Sequence, residues 1–216
     1  MIRLGEGTTA NMEGSLVYYK KAYELGHPKA GTTIYLVMEK NFEKFKAFLA
    51  ECVAKKNYNA ARELGTIYIL GEIAPADITE ARKWLEIGVN NKHGGCTYVM
   101  GYLYRNGMKA AGSDGKVTLN NKDADIPKAI EYFKKGAEYG SIESIRALGE
   151  MYMMGLETTQ DYTASFKYYD MGCNLNDGFS CFQCSALIVN EYVKMDMSKG
   201  AEYSTKALNL GYTPGK

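Results

Sequence analysis

Large and small side chains recur along the chain at spacings of three, four and seven, which place them on one face of a helix. Six segments carry the pattern in the same order: SLVYYKKAYELG from Ser15, KAFLAECVAKKN from Lys46, ARKWLEIGVNNK from Ala81, AIEYFKKGAEYG from Ala129, SFKYYDMGCNLN from Ser165 and GAEYSTKALNLG from Gly200. Their fourth and fifth positions are mostly bulky: Tyr18/Tyr19, Leu49/Ala50, Trp84/Leu85, Tyr132/Phe133, Tyr168/Tyr169 and Tyr203/Ser204. The eighth holds Ala22, Val53, Gly88, Gly136, Gly172 and Ala207, small in every case but one. Small residues in mid-face let another backbone approach, and the large ones fill the space beside it.

A second helix type lies between these segments, beginning at Asn59, Gly94, Glu143 and Phe179, with a weaker copy over Ala30 to Met38. Its shared column is Leu64-Gly65, Met100-Gly101, Leu148-Gly149 and Cys184-Ser185, followed three residues later by Tyr68, Tyr104, Tyr152 and Ile188. Gly71, Gly107 and Gly155 close three of these helices, where a left-handed residue turns the chain back at little cost to glycine. Asn11, Asp77, Asp125, Asp161 and Asp196 stand four residues ahead of the first-type segments, the place for an N-cap. Glu80 gives Asp77 the spacing of a capping box, and Asn41 takes the capping place for the Lys46 unit.

The first-type starts are separated by 31, 35, 48, 36 and 35 residues. A period near 35 is the mark of a solenoid, in which stacked pairs share a core that one pair cannot form. The sequence therefore predicts an all-α chain of about eleven helices, five antiparallel pairs plus a terminal helix. Residues 1–216 form one domain, with an inserted loop at 109–125. In that insertion, Ser113-Asp114-Gly115 signals a turn and Lys116 to Leu119 a short strand. Pro127 falls just inside the following helix, where its missing donor does no harm.

Composition fits the helical reading: 23 Gly against 4 Pro points to helices that end often, and most of the 18 Tyr serve packing. The formal net charge of +1 argues against a nucleic-acid partner. The longest stretch without an acidic or basic residue, Gly178 to Asn190, is too short to cross a bilayer. No signal peptide is visible.

The segments AIEYFKKGAEYGSIESIRALGEMYMMG and ARKWLEIGVNNKHGGCTYVMGYLYRNG resemble Sel1-like repeats, relatives of the tetratricopeptide repeat. The resemblance runs from about Asn11 to Gly211 and is weakest in the Lys46 unit. It implies a right-handed superhelix of paired helices that serves as an adaptor or scaffold. In the cysteine-rich branch of that family, each repeat staples its helices with two cysteines separated by seven residues, and Cys173 and Cys181 match this phase. The preceding units offer Gly88 or Val89 with Thr97, and Ala137 with Ile145. A lone match implies an intracellular, cytoplasmic chain in which Cys173 and Cys181 are reduced, buried small residues.

Candidate chemistry is sparse. Cys181 and Cys184 have the spacing of a redox pair or half a zinc knuckle, but no strand precedes them and no further ligands lie near in sequence. His27 and His93 both occupy helix-to-helix turns, as exposed capping or loop residues without a base-and-orienter constellation. No phosphate loop or H-E-x-x-H motif occurs. The expectation is a non-enzyme with no cofactor, no metal and no catalytic residue.

The resemblance places the second helix type on the inner surface. The stripe displaced from its core column reads Arg62, Thr66 and Ile69, then Tyr98, Tyr102 and Arg105, then Arg146, Glu150 and Met153. Arginine grips carboxylates through two donors, tyrosine offers rigid apolar area, and methionine adapts to uneven surfaces. These nine residues are the candidate partner-binding set. The partner is another protein or peptide, with an acidic segment or C-terminal carboxylate. Alternatives are a solvated face in which Tyr98 or Tyr102 packs on a neighbour, a beta-lactam-binding or hydrolysing enzyme like the cysteine-rich branch, and an inhibitory protein specific for one target.

Overall fold

The structure is a computed structural model that describes residues 12–27, 29–107, 121–155 and 157–213. Among these it has eleven α-helices: α1 Met12–Glu24, α2 Ala30–Val37, α3 Phe42–Ala54, α4 Tyr58–Leu70, α5 Ile78–Asn90, α6 Gly94–Arg105, α7 Ile126–Glu138, α8 Ile142–Met154, α9 Tyr162–Asn174, α10 Gly178–Val189 and α11 Met197–Asn209. Odd-numbered helices are the first sequence type and even-numbered ones the second. Each helix packs on the next, and α4, α6 and α8 also touch one another in succession, which puts the even helices on the inside of the stack. The all-α array of five pairs and a terminal helix is as the period predicts.

Two repeated contacts set this geometry. Inside the α5–α6, α7–α8 and α9–α10 hairpins the eighth-position glycine faces a small residue eight positions on, and a Cβ at Gly88, Gly136 or Gly172 would collide with Cys96, Ser144 or Ser180. Between hairpins, the column glycine of α4, α6 and α8 receives a large side chain from the next odd helix. A Cβ at Gly65 would lie 2.6 Å from Leu85, at Gly101 2.6 Å from Phe133, and at Gly149 2.7 Å from Tyr169. All three large side chains are fully buried.

Backbone bonds lock the same joints. The amides of Asp77, Asp125 and Asp161 each donate to the carbonyl of Tyr68, Tyr104 or Tyr152 at 2.9 Å. The side chains of these aspartates cap α5, α7 and α9, and Asn41 and Asp196 cap α3 and α11. Asn11 lies outside the described residues. The capping box at Asp77 is only half made. Asp77 accepts from the Glu80 amide, but Glu80 pairs with Lys83 because the Asp77 amide is already bound to Tyr68. Gly71, Gly107 and Gly155 adopt φ of 70°, 56° and 65°, as closing glycines should. Tyr104 stacks on Tyr132 and Tyr152 on Tyr168, with centroids 5.3 and 5.7 Å apart, so these rings are packing.

Within the 109–125 insertion, the turn at Ser113-Asp114-Gly115 and the strand at Lys116 to Leu119 lie outside the described residues. Its end forms a short 3-10 turn, Asn121–Asp123, leading to the Asp125 cap and to Pro127 in the first turn of α7.

Candidate protein-interaction groove

The even helices expose one continuous face. A groove of about 570 Å³ crosses it, lined by Tyr23 of α1, Gly31 of α2, Arg62, Glu63 and Thr66 of α4, Tyr98 and Val99 of α6, and Glu143 of α8. It exists because the Gly65 and Gly101 contacts draw the helices together on the odd side, leaving the displaced stripe uncovered. A second hollow of about 650 Å³, beside Ile78, Arg82 and Tyr104, borders both ends of the insertion and shares no residue with the predicted stripe.

The predicted residues divide into three kinds. Ile69 is buried in the core and does not reach the face; the helix turns it inward beside Tyr68. Thr66 is half-buried, its hydroxyl donating to the Arg62 carbonyl. Met153 is also half-buried and packs on the α9–α10 core, while Glu150 is exposed. Tyr98 leans on Phe133 at 5.8 Å and supports Tyr102 at 6.5 Å, so one ring is anchored in the core and the other stands in solvent, 40% exposed.

The arginines are not equivalent. Arg105 holds both carboxylate oxygens of Glu157 through Nε, at 2.8 and 3.0 Å. Arg146 binds Asp177 with two nitrogens and lies over the Phe179 ring at 4.9 Å. Burial alone would raise the Asp177 carboxyl, but the hydrogen bonds from Arg146 and Ser180 hold it below its ordinary value. Of these three arginines, Arg62 alone has no ion pair among the described residues. Beside it Glu63 accepts from the Tyr23 hydroxyl at 2.6 Å, and burial raises its carboxyl above the usual value. Of the predicted stripe, Arg62, Thr66 and Tyr98 line the groove, whereas Glu63, next to Arg62, and Glu143, three residues before Arg146, line it without having been named.

His93 is half-buried rather than exposed and caps α6 through Nδ1, 3.2 Å from the Cys96 amide and 3.2 Å from Cys96 Sγ. This pair is not an activated thiol. Burial pushes the fully buried Cys96 up to about 12, and burial and Arg62 lower the imidazole, so both are neutral at pH 7. His27 is exposed, as expected. Among the described residues, no group of three or more His, Cys, Asp or Glu is placed to hold a metal ion. No helix among them is long and apolar enough to cross a membrane.

The thiol expectation is overturned at one place. Cys173 and Cys181 are joined by a disulfide between α9 and α10, while Cys52, Cys96 and Cys184 are free and buried. The close approach of Gly172 to Ser180 brings the adjoining pair within bonding reach, whatever the other hairpins contain. The argument for an intracellular site from reduced thiols loses its basis.

The Sel1 repeat family model matches residues 1–27, 59–93, 96–141 and 142–177, about two thirds of the chain. The chain belongs to the Sel1 repeat family. The Sel1 matches skip the Lys46 segment, the unit whose pattern departs most. No curated protein matches the sequence. Among solved structures, a Sel1 repeat protein from Oxalobacter formigenes aligns with a TM-score of 0.63 at 18% identity, over 93% of this chain and 80% of that one. The protective antigen c5321 of uropathogenic Escherichia coli, which has the same fold, aligns with a TM-score of 0.63 at 19% identity. That alignment covers 96% of this chain but 43% of the antigen. The immunity protein PA5088 of Pseudomonas aeruginosa gives 0.56 at 15% identity, over 98% of this chain and 78% of that one. At these identities the likeness is one of fold. The general role of Sel1 repeats is protein–protein interaction and scaffolding.

Proposed function

We propose that this Sel1 repeat chain is an adaptor that receives an extended segment of another protein along its even-helix face. The observation that carries the reading is the groove spanning α1, α2, α4, α6 and α8, lined by Tyr98, on which the exposed Tyr102 rests, and by Arg62, whose guanidinium has no ion pair among the described residues. Of the nine stripe residues, Arg62, Tyr98 and Tyr102 are the central contacts, because Arg105 and Arg146 already bind carboxylates of the same chain. Arg62 meets an acidic side chain or terminal carboxylate of the segment through charge-assisted hydrogen bonds, and the tyrosines exclude water around it.

Calorimetry with a partner captured from native lysate tests the reading. Arg62→Ala and Tyr102→Ala are each expected to weaken binding by roughly 1 kcal/mol or more, with little change in helical content. Unchanged affinity in both correctly folded variants places the binding surface elsewhere on the chain.

A further inference from the structure

We infer that the segment received by this groove is bipolar: it carries an acidic group for Arg62 and, some five or six residues away, a basic side chain that enters beside Glu143, Glu150 and the Tyr98–Tyr102 pair. The inference rests on the groove reading above and adds the chemistry and order of its occupant.

The charge pattern of the inner face follows from where its arginines are used. Arg146 stands three residues after Glu143 and four before Glu150, the spacings at which helical side chains pair. It pairs with neither, because Asp177 at the start of α10 holds its guanidinium and Phe179 covers it. Arg105 of α6 is likewise held by Glu157. Glu143 and Glu150 are thus exposed without an ion pair among the described residues, although two arginines grow from the same stripe. Both lie near Tyr98, whose hydroxyl is raised first by burial and next by Glu143, with Glu150 contributing less. At the other end of the groove stands Arg62, which has no ion pair among the described residues. The face thus offers a guanidinium over α4, beside a Glu63 carboxyl already engaged by Tyr23, and two carboxylates over α8, and a single-sign acidic segment fits only half of it.

The ring pair supplies an independent reason for a cation. Other tyrosines of the array already carry one: Lys128 lies 4.5 Å and Arg82 5.2 Å from the Tyr104 centroid, and Lys46 lies 5.6 Å from that of Tyr68. Among the described residues, Tyr98 and Tyr102 have no such cation. A ring pair with carboxylates near one member favours an ammonium or guanidinium through both its quadrupole and the nearby charge. The distance follows from helix packing. Two interhelix steps of ~8–10 Å separate α4 from α8, a span of about five or six residues of extended chain. Because the two ends differ in sign, the segment binds in one direction only.

The test is selection of a phage-displayed random 12-residue peptide library on the intact chain. The expected outcome is enrichment of peptides with an acid and a base five or six residues apart in a single order. On a Glu143→Lys/Glu150→Lys variant, checked for helicity and melting, the base is expected to give way to an acid while the acid facing Arg62 persists. Glu150→Gln, a milder change, is expected to bind the selected peptide about threefold more weakly. Groove-bound peptides without a preferred base, or the same base selected by the charge-reversed variant, overturn the bipolar segment alone. If no peptide is enriched, or if the enriched ones bind Arg62→Glu and Tyr102→Ala as tightly as the wild type, the groove reading itself falls.

Discussion

Hairpins α7–α8 and α9–α10 share one frame and close it differently. In each, an eighth-position glycine lets the helices meet over a serine, Gly136 over Ser144 and Gly172 over Ser180. One step further, Ala137 and Ile145 occupy the places in α7–α8 that Cys173 and Cys181 bond across in α9–α10. The covalent link is therefore an addition to an approach that glycine already makes. It acts by restricting the unfolded chain.

The largest expected effect comes from removing that addition. Cys173→Ala/Cys181→Ala should lower stability by about 2–3 kcal/mol, the value for a closed loop of roughly nine residues. Urea unfolding measures it, and a phosphine reductant on the wild type should reproduce most of the shift. A midpoint unmoved by either treatment means that the bond does not stabilise the hairpin.

Next is the glycine that both hairpins need. Gly136→Leu forces a side chain onto Ser144 in the unbonded hairpin and should cost about 1–3 kcal/mol, with Gly136→Ala costing less. Native-like midpoints for both variants would remove the close approach as the common feature of the two hairpins.

The smallest effect separates the hairpins by their caps. Equivalent N-cap places hold His93 in α6, Ser141 in α8 and Asp177 in α10. His93 has a folded value below its ordinary 6.5, so its contribution is complete above 6.5 and declines as pH falls toward the folded value. Asp177 is held below its ordinary 3.8, so its contribution is present above 3.8 and is lost as pH falls through the folded value. Ser141 does not titrate. Urea midpoints between about pH 6.5 and 5.5 should fall less for His93→Ser than for the wild type. Parallel slopes in the two proteins would exclude His93 as the source.

The array itself was legible because its determinants repeat. The eighth-position glycines, the Gly65, Gly101 and Gly149 column and the capping aspartates recur at one period, and each recurrence reports the same contact. Arg62, Thr66 and Tyr98 of the groove lining fall on the repeating stripe for the same reason. What periodicity could not reveal was the use made of each charge. Glu157 lies 52 residues from Arg105, and Asp177 lies 31 from Arg146. Neither acid belongs to the stripe, so spacing left all three arginines looking alike. The disulfide escaped for the opposite reason. The absence of staples in other units has no bearing on Cys173 and Cys181, because each hairpin sets its own interhelix distance.

The sockets between hairpins are graded. Gly65 receives Leu85, Gly101 receives Phe133 and Gly149 receives Tyr169, so the occupant changes from aliphatic to phenyl to phenol along the stack. Units that look interchangeable by period are therefore keyed to their neighbours. Moving the α5–α6 unit one place along would set leucine into a socket shaped for tyrosine and leave a void there. Gain or loss of whole units during the history of such a chain then requires matched changes on both sides of each new junction, so the order of its repeats is part of its specification.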